Sequence, residues 1–259
     1  MFKNYLTVAF RNLKRHKLYS AINICGLGVG MACCFLILLF MVDALSYDTQ
    51  HPNADRLYRV TNGEGAKTAP ILAPTMKEHL PEVTHVTRLM REYRPLVGYG
   101  ELNDYESRFY WADANVFEVF HLPLLKGDAK TALAEPNTMV LTEAMVKKYF
   151  GEDDPMGQLV RLGKRQTFRV TGVLADTQTR SHLQLDFLVS ASGRKGQVMT
   201  EWFFTDAYTY VVLNQGVDVK HFQEVLLDFA STYADRHTRH EFALQAVLDI
   251  HLHSHLSDE

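Results

Sequence analysis

Polar and apolar residues change rhythm twice along this chain, dividing it into three regions. Phe2, Leu6, Ala9, Phe10 and Leu13 recur at helical spacing, with Lys3, Thr7, Arg11, Lys14 and Arg15 on the opposite side, which predicts an amphipathic helix within residues 1–17. From Leu18 to Val42 there are 25 residues without a charged side chain. As a helix rising about 1.5 Å per residue, this run is about 38 Å long, enough to cross a hydrocarbon core of about 30 Å with some tilt. From Asp43 onward, short alternating segments and short 3.6-period segments interleave.

In that third region, residues 55–61 alternate as a strand, and 73–80 read as a short helix stopped by Pro81. Strands are expected near 83–90, 94–99 and 105–112, with a turn-rich stretch from Gly98 to Asp104 between the last two. The stretch TMVLTEAMVKKYFGEDDPMGQLV, residues 138–160, is punctuated more clearly. A strand over 139–141 leads into Thr142 as helix N-cap, with Leu141 and Val146 placed as a hydrophobic staple. Glu143 falls in the first turn, Lys147 and Lys148 in the last, and Gly151 stops the helix. Strands follow near 158–162 and 166–175, and alternation recurs at Leu183, Leu185, Phe187 and Val189 and at Tyr208, Tyr210 and Val212. Residues 218–233 predict a helix burying Phe222, Val225, Leu226, Phe229 and Tyr233. Phe242, Leu244, Ala246, Leu248, Ile250 and Leu252 then occupy the even positions of one long expected strand. The fold class is α+β, helices against a mixed or antiparallel sheet, with a strand-rich subdomain over about 83–135.

Charge sharpens the division. Residues 1–42 hold Lys3, Arg11, Lys14, Arg15 and Lys17 and no acid, so the remainder sets 22 basic residues against all 30 acidic ones, a formal −8. Nucleic acid is not an expected partner of that acidic part, because phosphate binding needs clustered cations. Basic residues before the span and acids after it place the N-terminus in the cytoplasm and residues 43–259 outside. Cys25, Cys33 and Cys34 all lie in the apolar run, which leaves the outer part no disulfide framework and no zinc pattern.

Two readings of the N-terminus compete. A cleaved signal peptide has an apolar core of about 7 to 15 residues ending in small residues, whereas this run is longer and ends Val42-Asp43-Ala44, favouring an uncleaved anchor. The preceding helix suits the headgroup layer, cations toward anionic lipid, or a collar packed on other membrane helices. The glycines of NICGLGVGMACC do not make a dinucleotide loop, which needs a preceding strand, G-x-G-x-x-G spacing and an acid about 20 positions on. Instead Gly26, Gly30 and Cys34 fall at i, i+4 and i+8, a ridge of small residues that admits a neighbouring transmembrane helix. Simple tolerance of glycine in lipid is the alternative.

Candidate chemistry in the outer part is sparse. His251, His253 and His255 would share a face of the last strand, with Asp249 as a fourth ligand. Alternate strand residues lie about 7 Å apart, too far for one tetrahedral ion without bending, so a solvated polar face is the expectation. Glu152, Asp153 and Asp154 follow a helix stop, where acids are common without function. Ser181-His182 and Ser254-His255 are adjacent pairs that a strand would point to opposite faces, so neither reads as a nucleophile and its base. No G-x-S-x-G, H-E-x-x-H or P-loop occurs, so the chain cannot bind and hydrolyse ATP by a P-loop of its own.

Taken in order, the opening 48 residues, then HPNADRLYRV, VLTEAMVKKYFGEDDPMGQLV, FRVTGVLAD and FALQAVLDIHLHS, resemble the N-terminal part of MacB/FtsX-like ABC transporter permeases. The resemblance implies a first transmembrane helix and a periplasmic core domain with a porter-like α/β lobe and a second, strand-rich lobe. It further implies an inner-membrane location, three later spans, a second permease copy in a dimer, an ABC ATPase subunit and a periplasmic adaptor as partners. The chain itself would be non-catalytic, without cofactor or metal. It ends at Glu259, where a second span is expected, and is read as an N-terminal fragment. A membrane-anchored sensor or ligand-binding domain and a tethered hydrolase are the rival classes.

The glycine ridge yields a direct test. Replacing Gly26 and Gly30 by Leu is expected to weaken disulfide crosslinking to partner spans in membranes while the outer domain stays folded; unchanged crosslinking would remove that face from the interface.

Overall fold

The computed structural model describes residues 2–164, 166–176, 180–234 and 240–257, apart from the side chains of residues 2, 3, 6, 9 and 10. The chain forms two compact units, Met1–Ser46 and Tyr47–Glu259. The first holds α1 (Phe2–Arg15) and α2 (Lys17–Leu45), separated at His16, whose backbone leaves the helical region at φ −114° and ψ 55°. The helix α2 has 29 residues and a mean hydropathy of 2.5 over its most apolar stretch, and none of that stretch is buried in the protein. Its apolar surface therefore has lipid, or another chain, as its counterpart. The helix outruns the uncharged tract by three residues, because Asp43 ends the apolar run without ending the hydrogen-bond ladder. Closure comes at Ser46, whose amide and hydroxyl both donate to the Asp43 carbonyl.

The second unit is one mixed sheet flanked by short helices. Its first lobe combines β1 (Leu57–Asn62), α3 (Leu72–His79) and β2 (Val83–Glu92) with β11 (Tyr208–Leu213), α6 (Val219–Tyr233) and β12 (Phe242–Ala246). These strands lie in the order β12-β1-β11-β2, all antiparallel, a split βαβ pair. Everything between β2 and β11 is an insertion. It contributes β3 (Leu96–Tyr99), β4 (Leu102–Tyr105), β5 (Phe109–Ala112), α4 (Val116–Phe120), β6 (Leu124–Lys126), β7 (Thr138–Thr142), α5 (Glu143–Phe150), β8 (Leu159–Leu162), β9 (Gln166–Leu174) and β10 (Phe187–Ser190). The sheet continues from β2 as β5-β10-β7-β9-β8-β3-β4, with β5 parallel to β10 and β7 parallel to β9. The strand-rich lobe therefore does not occupy residues 83–135. Its β2 belongs to the first lobe, and its later strands need β7 to β10 as partners.

Burial explains the first lobe. All six residues of β11 are buried, because helices cover both faces of this strand. On one face, Val211 and Leu213 meet Leu72 and Met76 of α3 and Phe222, Leu226 and Phe229 of α6. On the other, Tyr208, Tyr210 and Val212 meet Phe117 and Phe120 of α4 and Val247 and Ile250 of α7 (Val247–His253). Each large side chain so buried contributes about 1.5–3 kcal/mol. The helix α6 is capped by Asp218, which accepts from the Lys220 amide, but Tyr233 is not in its stripe: it is 41% exposed and stacks on His79.

Two expectations fail for the same reason, that a strand needs a neighbour. The even-numbered run after Phe242 is a strand only to Ala246, where the register with β1 ends at Tyr58. Beyond that, residues 54–56 form a 3-10 turn, so the chain satisfies its backbone groups internally as α7. Val247 and Ile250 face inward at i, i+3 while Leu248 and Leu252 are 38% and 40% exposed. Conversely, the turn-rich stretch after Gly98 supplies β4, because β3 offers an edge for it to pair with.

Gly127 and Gly100 separate two costs. Both have positive φ, at 94° and 58°, but a Cβ on Gly127 would collide with the Thr171 carbonyl oxygen while one on Gly100 meets open space. Gly127→Ala is expected to destabilise the outer unit by about 3 kcal/mol and Gly100→Ala by about 1 kcal/mol, read from denaturant unfolding followed by tryptophan fluorescence. Equal losses would contradict this account of the close approach.

Candidate functional site

Three residues after the end of α2, the chain enters the second unit with a buried carboxylate. Asp48 has no solvent-exposed surface and takes a left-handed φ of 57°. For a residue with a Cβ this costs about 1–2 kcal/mol. Hydrogen bonds hold it there. The Asp48 amide donates to the Arg180 carbonyl at 2.9 Å. The carboxylate accepts from the Ser181 hydroxyl at 2.6 Å, from the His182 amide at 3.1 Å and from His182 Nδ1 at 2.9 Å. His51, one turn further along the chain, approaches it at 3.3 Å through Nε2 and donates from Nδ1 to the Phe120 carbonyl at 2.8 Å.

The network then runs into the sheet. Nε2 of His182 accepts from the Tyr210 hydroxyl at 2.9 Å, and Tyr210 sits mid-strand in β11 with its ring edge-on to Phe120. With Nδ1–H aimed at the carboxylate and Nε2 at a hydroxyl donor, neutral His182 satisfies both partners. Burial is the larger influence on His182 and lowers its pKa, against the opposing pull of Asp48. Burial alone would raise the pKa of Asp48, but the hydrogen bonds from His182, His51 and Ser181 together outweigh it and keep the carboxyl well below the usual range. Tyr210 is pushed up by burial and stays a donor.

This geometry binds and orients rather than attacks. Ser181 Oγ points its proton at Asp48 and accepts from the Leu183 amide, and the imidazole beside it is committed to Asp48 and Tyr210, so no base activates the serine. The expectation that Ser181 and His182 lie on opposite faces of a strand is corrected: they form a bend, and both face Asp48. The histidine face is corrected too. His251 and His253 lie on α7, where i and i+2 point apart, and His255 follows in the loop. His251 instead stacks on Tyr47 with ring centroids 3.5 Å apart. Among the described residues no group of three His, Cys, Asp or Glu is placed to hold a metal ion.

The residues singled out in the first unit are spread along its two helices. Gly26, Gly30 and Cys34 share one side of α2, and an added Cβ on either glycine would meet no atom of this chain. Arg11, Lys14 and Arg15 are exposed on α1 and Lys17 opens α2, while the Lys3 side chain lies outside the described residues, as do those of Phe2, Leu6, Ala9 and Phe10.

A membrane helix running into a split βαβ lobe with a strand-rich insertion is the layout of the periplasmic core domains of ABC-type permeases. Residues 20–228 match the MacB-like periplasmic core domain, and the chain belongs to that family. Solved structures share the fold. A domain of a protein described as a permease from Porphyromonas gingivalis is 21% identical, with a TM-score of 0.68 over 76% of this chain and 93% of that one. The periplasmic region of MacB from Actinobacillus actinomycetemcomitans is 17% identical, TM-score 0.57, over 75% and 90%. The extracellular domain of the noncanonic ABC-type transporter YknZ from Gram-positive bacteria is 15% identical, TM-score 0.52, over 73% and 99%. No curated protein matches the sequence. The chain is thus a membrane-anchored domain of the permease type.

The buried network makes stability depend on pH in a set direction. Because the folded-state pKa of His182 lies below its ordinary 6.5, the unfolded chain takes up a proton the folded one resists. Its contribution is complete above about pH 6.5 and lost as pH falls. Asp48, also depressed, contributes above its ordinary 3.8 and loses that contribution only in stronger acid. Unfolding midpoints in detergent are expected to fall from pH 7.5 to pH 5, and His182→Asn, which keeps a donor for Asp48 but does not titrate, should flatten that slope. An unchanged slope in the variant would exclude His182 as its source.

Proposed function

We propose that this chain is the N-terminal part of a permease subunit of an ABC-type export or mechanotransmission system in the bacterial inner membrane. Its N-terminus is cytoplasmic and residues 43–259 face the periplasm. ATP is hydrolysed by a partner ATPase, and this chain carries the resulting motion outward; it has no catalytic role and needs no cofactor. A second permease copy, further permease spans and membrane lipid complete its surroundings, with a periplasmic adaptor at the outer end. The basic residues Lys3, Arg11, Lys14, Arg15 and Lys17 anchor the inner side, and Gly26, Gly30 and Cys34 form the packing face toward other spans.

One observation carries the coupling. Only Ser46 and Tyr47 separate the last residue of α2 from Asp48, and Asp48 is tied to residues 180–182 and through His182 to the central strand β11. Any displacement that reaches Asp48 is thereby passed to residues 180–182 and to the sheet. The geometry also disfavours a hydrolase, since the serine and histidine of the network are committed to a structural carboxylate.

The test uses the complete permease reconstituted with its ATPase, with spin labels at position 101 of each copy. An ABC ATPase should copurify, and ATP should shift the distance between labels. Asp48→Asn should leave hydrolysis intact while reducing that shift by more than half. Failure of any ATPase to copurify, or an Asp48→Asn permease that moves as the wild type does, would contradict the reading.

A further inference from the structure

At the end of the sheet where β7 and β9 finish and β5 and β10 start lies a cavity of about 180 Å³. Strand register places its polar residues. Arg108 directly precedes β5 and Asp186 directly precedes β10, and the Asp186 amide donates to the Arg108 carbonyl at 2.9 Å. The Asp186 carbonyl in turn accepts from the amide of Thr142, the last residue of β7, at 3.1 Å. Asp176 follows the end of β9 by two residues. Four strand ends thus bring Arg108, Thr142, Asp176 and Asp186 to one hollow, whose apolar wall is Ala144, Ala175 and Leu185.

The charged groups here lack counterparts within the protein. Among the described residues, the side chains of Arg108, Asp176 and Asp186 make no hydrogen bond or ion pair, although the Arg108 guanidinium is close enough to lower the Asp186 pKa. Asp186 is half-buried, and burial is the largest influence on it and raises its pKa; Arg108 and Lys148 oppose that rise, while Glu106 and Asp176 add to it. A carboxyl raised in this way costs stability as pH climbs above its ordinary 3.8, where the unfolded chain ionises more readily than the folded one. The fold therefore holds at neutral pH a carboxylate that an added cation would compensate. Thr142 is 4% exposed; its hydroxyl accepts from the Met145 amide at 3.4 Å, and its proton has no acceptor among the described residues.

We infer that this cavity binds a small free α-amino acid. Its ammonium donates to Asp186 and Asp176, and its carboxylate accepts from Arg108 and the Thr142 hydroxyl. The volume is on the order of six waters' share of the liquid, below the usual range for larger ligands, and the two alanines leave no room for a bulky side chain. Glycine, alanine and serine are the sizes that fit. A metal ion would meet two carboxylates and a guanidinium, and among the described residues no group of three His, Cys, Asp or Glu forms there. An inorganic anion would face the same two carboxylates. The binding inference does not depend on the export role.

The probe is 3-fluoro-L-alanine, followed by ¹⁹F NMR with the full chain in an uncharged detergent and compared with empty micelles. Saturable broadening that L-alanine reverses is expected. Two analogues each remove one charge: N-acetyl-3-fluoroalanine lacks the ammonium, and 3-fluoroalaninamide lacks the carboxylate. Each should bind at least about tenfold more weakly, the loss expected for one contact to a charged group. Asp186→Asn should weaken the amino acid at least several-fold while its unfolding midpoint at neutral pH is retained or raised. The analogue comparison uses the unaltered protein, so it decides even if a variant misfolds. Equal binding of either analogue, broadening no greater than in empty micelles, or an Asp186→Asn protein that binds as the wild type does would each overturn the inference.

Discussion

A carboxylate removed from water must find donors, and a residue with a Cβ at positive φ must be held there. Asp48 meets both conditions with one set of partners. Its carboxylate is surrounded by Ser181, His182 and His51, and its own amide is tied to Arg180. Loosening any one of these leaves charge buried without compensation, so the set holds or opens together. Asp48 and His51, close after the helix, are therefore buried in the domain, while Thr49 and Gln50 between them are exposed.

That placement gives the insertion between β2 and β11 a second purpose. Residues 180–182 belong to the inserted lobe, yet His182 reaches Tyr210 on a strand of the split βαβ lobe. The sheet already joins the two lobes along the β2–β5 edge, and the Asp48 network joins them again near the entry of the chain. The packing of Phe117 and Phe120 of α4 on Tyr210 adds a further attachment between the same lobes.

How far the sequence revealed this depends on the range of the forces involved. The β7–α5 turn was legible because Thr142, Glu143, Lys147, Lys148 and Gly151 act on backbone groups within one helical turn, and Thr142 does accept from the Met145 amide. The membrane helix was legible because 25 consecutive uncharged residues are long enough to cross a hydrocarbon core and too apolar to leave in water. The segment FALQAVLDIHL fits period 2 and an i, i+3 pattern equally, and only the end of β1 decides between them. Asp48 and His182 are 134 residues apart, and no periodicity connects a polar residue at a helix exit with a serine-histidine pair in a bend. The available signal was weak: Asp48 and His51 at i, i+3 in a polar stretch after Tyr47, and Ser181-His182 just before the apolar alternation of Leu183, Leu185 and Phe187.

The central claim is that the segment from Asp48 and residues 180–182 are held together through the Asp48 carboxylate, and peptide-level hydrogen exchange on the intact chain in detergent tests it most directly. The account predicts that residues 48–54 and 180–184 exchange as slowly as β11 and that Asp48→Ala releases both segments together while β7 to β9 stay protected. Rapid exchange of residues 48–54 in the unaltered protein, or release of one segment without the other, would contradict it.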